Sequence, residues 1–129
     1  MKSIIMFCGI MLTVYIAYRI YKYQTLDNGL DQLVRDGAVI LDVRTEKEFK
    51  MGHISESKNF SLGTIRERYT ELDPGKTYIT VCSHGLRSVK VETILKEKGF
   101  KKVYNGGAWS DLKKKLDLKS SENQINTNN

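Results

Sequence analysis

Cysteine is nearly absent from this chain: its 129 residues hold two, Cys8 and Cys82. One lies in an apolar leader and the other far along the chain, so no disulfide framework can be built and each is expected as a free thiol. Histidine is equally scarce, and Cys82 and His84 are too few and too close together to make a tetrahedral zinc site, so no metal is expected. The single proline, Pro74, stands in Asp73-Pro74-Gly75, where it breaks the chain in a turn. Length excludes a second domain, because roughly one hundred residues remain after the leader, enough for one modest core. Excess charge is missing too. The formal net charge is +6, but Lys2, Arg19 and Lys22 flank the leader and account for half of it. What is left argues against a nucleic-acid partner. With 40% apolar and 28% charged residues, the composition is that of a folded α/β protein, not of a disordered chain.

One long apolar run is present. Ser3 to Tyr18 carries no charge, and if Arg19 and Lys22 snorkel, a helix reaching Tyr23 is ~31 Å long and can span a bilayer. Tyr15, Tyr18, Tyr21 and Tyr23 gather near its end, where amphipathic rings suit the headgroup zone. A cleaved signal peptide is the competing reading, but no small-x-small site follows the run, so a retained anchor over residues 1–24 is expected. Cys8, with no lipoprotein box before it, is expected as a small apolar residue of that helix. The Lys/Arg balance weakly places the domain on the cytoplasmic side of the cell membrane, in single-pass topology. That compartment would keep Cys82 reduced.

From residue 25 onward, helix and strand patterns alternate. Thr25–Asp36 predicts a helix closed by Gly37, and Ala38–Val43 a strand buried on both faces. Thr45 opens a short helix with Glu48 three residues on, a capping box, and Gly52 ends it. Residues 57–60 form a weak strand. Ile65, Tyr69 and Leu72 share a helical stripe, and Tyr78–Val81 is the next buried strand. Val91, Ile94 and Leu95 give the apolar face of a helix ending at Gly99. Val103-Tyr104 is a last strand, Gly106-Gly107 a turn, and Trp109, Leu112 and Leu116 the buried face of a final helix. The fold class is therefore α/β: an open, mostly parallel sheet with helices on both faces, preceded by one transmembrane helix. The domain spans 25–118, and 119–129 is expected to be a disordered polar tail. The Lys residues thickening toward the end, Lys96 to Lys115, suit an acidic partner or anionic membrane surface, though a solvated helix face is the plainer reading.

Ligands of such sheets bind at the carboxyl ends of the strands, and Cys82 stands at one, directly before a helix N-terminus. Free N–H groups of the loop and first turn, with the helix dipole, lower the thiol's pKa and hold an anion. Arg87 and His84 add positive character, and Gly85 permits backbone geometry that a side chain would obstruct.

At this point the chain resembles the rhodanese family. The resemblance is carried by Leu41-Asp42-Val43-Arg44, Glu48-Phe49, Gly52-His53-Ile54, the loop Cys82-Ser83-His84-Gly85-Leu86-Arg87-Ser88, and Gly106-Gly107 with Trp109, over roughly residues 25–117. It implies a thiosulfate sulfurtransferase without a cofactor. Cys82 is then the sulfur carrier, and loop amides from Ser83 to Ser88 cradle the persulfide and oxyanion. Arg87 closes the loop or steers the substrate. Asp42 and Arg44 look like the family's scaffold pair beneath the loop; Glu48, four residues on, is placed to pair with Arg44. These three and His53 are expected to be structural supports. The implied partners are a small anionic sulfur donor and a thiol, cyanide or sulfur-carrier-protein acceptor. Ser61 replaces a proline common in the family, and Glu56-Ser57-Lys58 an apolar stretch, which disturbs the edges of that strand.

Two other readings remain. Cysteine phosphatases put five residues between Cys and Arg to surround a phosphate; here four lie between Cys82 and Arg87, a smaller ring. A membrane-tethered module that senses oxidants or holds a partner without turnover would also use a low-pKa thiol.

Overall fold

The computed structural model describes residues 1–26 and 29–127, and for residues 21–26 the backbone alone. The apolar leader is one helix, α1 (Lys2–Leu26), so it runs across the expected boundary at residue 24. Its side chains are exposed as far as Ile20, and the segment Lys2–Ile20 is long and apolar enough to cross a membrane. Tyr15 and Tyr18 belong to this exposed surface; the side chains of Tyr21 and Tyr23 lie outside the described residues, as do Asp27 and Asn28 of the helix expected over 25–36. Of that expected helix, Thr25 and Leu26 instead end α1, and the rest is reduced to α2 (Leu30–Arg35).

Four strands follow: β1 (Val39–Asp42), β2 (Lys58–Asn59), β3 (Tyr78–Cys82) and β4 (Val103–Ala108). They form one sheet in the order β2-β1-β3-β4, with all three pairings parallel. Parallel neighbours need crossovers, and helices supply them: α3 (Glu46–Lys50), α4 (Ile65–Arg68) continued by a 3-10 turn (Tyr69–Glu71), and α5 (Leu86–Glu97). The last helix, α6, is Trp109–Thr127.

The two central strands, β1 and β3, divide their side chains between two apolar clusters. Leu41, Val43 and Tyr78 meet Ile65, Leu72, Val91, Ile94 and Leu95 on one face. Ile40, Ile79 and Val81 meet Leu30 and Leu112, with Trp109 packed against them, on the other. Covering both faces is why β1 and β3 read as continuous apolar runs. A fully buried Leu, Ile or Val contributes about 1.5–3 kcal/mol, so these strands anchor the edge from which the site is built.

Three expectations are corrected. Gly106-Gly107 is not a turn but lies inside β4, where the register with β3 shifts so that Thr80 faces Asn105 and Val81 faces Gly107. A Cβ on Gly106 would sit 2.7 Å from Ile79 Cγ2 and 2.8 Å from Val81 Cγ1, so this glycine serves close approach of two strands. Over the tail expected to be disordered, 119–129, α6 runs as far as Thr127, and residues 128–129 lie outside the described residues. No Gly or Pro interrupts α6, and Ser120 and Ser121 donate their hydroxyls to the carbonyls of Leu116 and Asp117 one turn back. Third, the strand expected over 57–60 shrinks to Lys58–Asn59. Phe60 and Leu62 still donate their N–H groups to the carbonyls of Asp42 and Val43, so the ladder continues past the residues that form the regular strand.

Candidate active site

Because all strands run one way, their C-terminal ends share an edge, and the chemistry-bearing residues collect there. Cys82 is the last residue of β3. The chain then turns through Ser83 and His84 to Gly85, the residue before α5, whose φ of +94° is a left-handed conformation that glycine adopts without strain. This turn folds the loop back over the sulfur. The Gly85 N–H donates to Cys82 Sγ at 3.0 Å, and the N–H groups of His84 and Ser88 lie close enough to favour negative charge on it. The Ser88 hydroxyl lies 3.6 Å from the sulfur.

Cys82 is only 1% exposed, and burial is the largest influence on its thiol, opposing ionisation. The Ser88 hydroxyl, then the N–H groups of Ser88, His84 and Gly85, together outweigh it and hold the thiol below its ordinary pKa. The buried sulfur thus has polar partners fitted to a negative charge, unlike a cysteine that merely fills a core.

The other loop side chains are unequal. Ser88 is fully buried; His84 and Leu86 point to solvent, Leu86 at 77% exposure. Of these two, only His84 reaches the sulfur, through its backbone. Arg87 turns away from the sulfur to form a bidentate pair with Glu48, Nη1 to Oε2 at 2.8 Å and Nη2 to Oε1 at 3.0 Å. It also donates to Ser83 Oγ at 3.1 Å. Glu48 is at the same time the N3 residue of the capping box on α3, accepting from the Thr45 N–H and hydroxyl. Arg87, with those Thr45 donors, holds the Glu48 carboxyl well below the usual carboxylate range, and Glu48 in turn raises the Arg87 guanidinium.

The expected pairing of Glu48 with Arg44 is therefore corrected. Arg44 precedes the N-cap Thr45 and is not on the helix, so the i, i+4 relation does not exist. Its side chain runs inward instead, with Nε 2.9 Å from Asp42 Oδ1 and Nη2 2.6 Å from Asp42 Oδ2. Nη2 also donates to the Gly52 carbonyl at 2.7 Å, and the guanidinium lies 4.5 Å from the Trp109 ring centroid. Asp42, the last residue of β1, and Arg44 form a buried ion pair. His53 is held by its neighbour on α3: its ring stacks on Phe49 and Nδ1–H donates to the Phe49 carbonyl.

Two residues of the site were not foreseen. Thr80, inside β3, donates to the Ser88 carbonyl at 3.0 Å and so ties the first turn of α5 to the strand. Asn105 Oδ1, on β4, lies 2.7 Å from Ser88 Oγ and accepts the Gly107 N–H at 3.0 Å. A polar residue directly before the glycine pair was the available signal for Asn105; a threonine within an apolar strand was a weaker one for Thr80. Among the described residues no three His, Cys, Asp or Glu side chains cluster to hold a metal ion.

Comparison with known proteins points one way. A family model described as a rhodanese-like domain matches residues 25–114. The chain is 35% identical over 75% of its length to a tRNA sulfurtransferase of Thermoplasma acidophilum, but spans only 19% of that protein. It is 32% identical over 69% of its length to the thiosulfate sulfurtransferase GlpE of Pseudoalteromonas translucida, covering 89% of it. Among solved structures, a rhodanese with anions from E. coli is 28% identical with a TM-score of 0.55, over 58% of this chain and 91% of that one. A rhodanese-like domain protein from Staphylococcus aureus is 36% identical with a TM-score of 0.51, over 56% and 74% of the two chains.

Proposed function

The chain belongs to the family of rhodanese-like domains, and on that premise we propose that it is a sulfurtransferase in which Cys82 carries the sulfur. The observation that carries the reading is the ring of polar groups around the Cys82 sulfur: the Gly85 N–H donates to it, the N–H groups of His84 and Ser88 and the Ser88 hydroxyl lie against it, and Arg87 bonds Ser83 at the start of the loop. Such a ring favours a thiolate and, after sulfur uptake, a terminal persulfide anion in nearly the same place.

In the first half-reaction the Cys82 thiolate attacks the outer sulfur of thiosulfate or a related anionic donor. A new S–S bond forms, the donor's own S–S bond breaks, and sulfite leaves with the electron pair. The enzyme then bears a Cys82 persulfide. In the second, an acceptor thiolate, cyanide or the thiol of a sulfur-carrier protein attacks the outer sulfur, and Cys82 departs as thiolate. The amides stabilise negative charge as it moves from Cys82 to the departing oxyanion and back, without reorganising. The reaction balances without an external oxidant, reductant or cofactor. The short loop, with four residues between Cys82 and Arg87, supports sulfur over phosphoryl chemistry. The exposed apolar helix α1 supports a membrane tether, and the Lys/Arg balance around it favours the cytoplasmic side for the domain.

Incubation of the purified protein with thiosulfate should add the mass of one sulfur atom, removed by cyanide with release of thiocyanate. Cys82→Ser should abolish both, and initial rates should follow ping-pong kinetics. A wild-type protein that stays unmodified with thiosulfate, 3-mercaptopyruvate and a cysteine desulfurase alike would overturn the proposal.

A further inference from the structure

The Ser88 hydroxyl has one hydrogen to give and three acceptors within reach. They are the Gly85 carbonyl at 2.9 Å, Asn105 Oδ1 at 2.7 Å and, when Cys82 is ionised, its sulfur at 3.6 Å. A hydroxyl can point that hydrogen at only one of them at a time, while its lone pairs accept from elsewhere. With Cys82 as a thiol, the S–H donates to Ser88 Oγ and the hydroxyl hydrogen rests on Asn105 or Gly85. With Cys82 as a thiolate, stabilising the sulfur requires the hydrogen to turn away from them. Asn105 is anchored for this competition. Its oxygen also accepts the Gly107 N–H, a group that can only donate, and this fixes which end of the side-chain amide faces Ser88.

We propose that Asn105 is a positioning residue for Cys82, acting through the single hydroxyl hydrogen of Ser88: its neutral amide oxygen holds Ser88 in place yet yields the hydrogen to the sulfur. The role deepens the sulfurtransferase reading and rests on it for its biological meaning, but the hydrogen-bond competition is measurable without any sulfur transfer. The charged groups around the loop are matched in pairs, Arg87 with Glu48 and Arg44 with Asp42. His84 is exposed and offers its backbone to the sulfur.

The chemistry predicts opposite effects from two substitutions. Asn105→Asp keeps the shape but turns the oxygen into an anion, which binds the hydroxyl hydrogen about twice as strongly. Asn105→Ala removes the competitor and leaves the hydrogen to Gly85 and the sulfur.

The test follows iodoacetamide alkylation of the Cys82 peptide by mass spectrometry as a function of pH, in the full-length protein in detergent. Asn105→Asp should raise the alkylation midpoint by about one unit, a tenfold loss of thiolate below it. Asn105→Ala should lower the midpoint. In a Ser88→Ala background both shifts should fall to less than half. A pure charge effect would persist undiminished without Ser88 and leave the alanine variant unmoved; either result overturns the proposal. So does a midpoint that neither variant moves. If Asn105→Asp fails to fold, the alanine variant with and without Ser88 decides. Sulfur loading measured on the same samples separates the two readings: shifts as expected in a protein that never takes up sulfur would sink the sulfurtransferase reading alone. Loading with invariant midpoints would sink this one alone.

Discussion

Two ion pairs flank the Cys82 loop, and they differ in what they contribute. Arg44 and Asp42 are 4% and 0% exposed, so removing one partner strands a desolvated charge. Asp42→Ala should destabilise the protein by about 3–5 kcal/mol. Arg87 and Glu48 have about a third of their side-chain surface in solvent, and water screening reduces such a pair to about 0.2–1 kcal/mol. Glu48→Gln should therefore cost at most that much, measured by chemical denaturation. The pH dependence separates them further. The folded pKa of Glu48 is depressed below its ordinary value of 4.5, so its contribution is complete above that pH and fades as the pH falls toward the folded value. The stability difference between wild type and Glu48→Gln should accordingly stay constant from neutral pH to about 4.5 and shrink below. A difference that already shrinks between pH 7 and 5 would mean that another group tunes the pair.

At the scale of elements, the tightest constraint lies where β4 passes β3. Gly106→Ala pushes a methyl between Ile79 and Val81, both fully buried, with the Thr80 carbonyl 3.1 Å away. Overpacking of that kind costs about 1–3 kcal/mol, and because Asn105 is the next residue, the alkylation of Cys82 should change as well. Gly63→Ala, with no atom within 4 Å of the new Cβ, should stay within about 0.5 kcal/mol. Urea denaturation of the two variants checks the contrast. The same place shows where sequence reading reached its limit. β1 and β3 were legible because burial on both faces writes itself as an unbroken apolar run, and the capping box at Thr45 because it is a local pattern. Cys82 and its loop were legible because strand end, glycine and helix start are consecutive. Gly106-Gly107 misled because glycine needed for close packing looks like glycine needed for a turn. Asn105 and the Glu48–Arg87 pair escaped because their partners are 17 and 39 residues away, and only the sheet edge brings them together. The tail past residue 118 was less legible, because a polar composition is shared by disordered chain and by a solvated helix.

For the molecule as a whole, the question is whether α1 belongs to the domain or to the bilayer. Both apolar clusters draw their members from Leu30 onward, and the side chains from Met1 to Ile20 contribute to neither. Ile4, Ile5, Phe7, Ile10 and Leu12 are each more than half exposed, a contiguous apolar surface that a water-soluble protein rarely leaves uncovered. Lys2–Ile20 has a mean hydropathy of 1.8 in its most apolar window, and its length approaches the ~20 residues that a spanning helix needs. A tether of this kind predicts that two properties separate cleanly. The full-length protein should stay with the membrane fraction through an alkaline carbonate wash, whereas a chain beginning at residue 25 should be soluble. That shortened chain keeps the whole family match and both clusters, so its melting temperature and its turnover of thiosulfate with cyanide should equal those of the detergent-solubilised parent. A shortened chain that melted several degrees lower, or lost turnover with the small acceptor, would mean that α1 packs on the domain. In that case its apolar surface would be an uncovered part of the fold and not a membrane span.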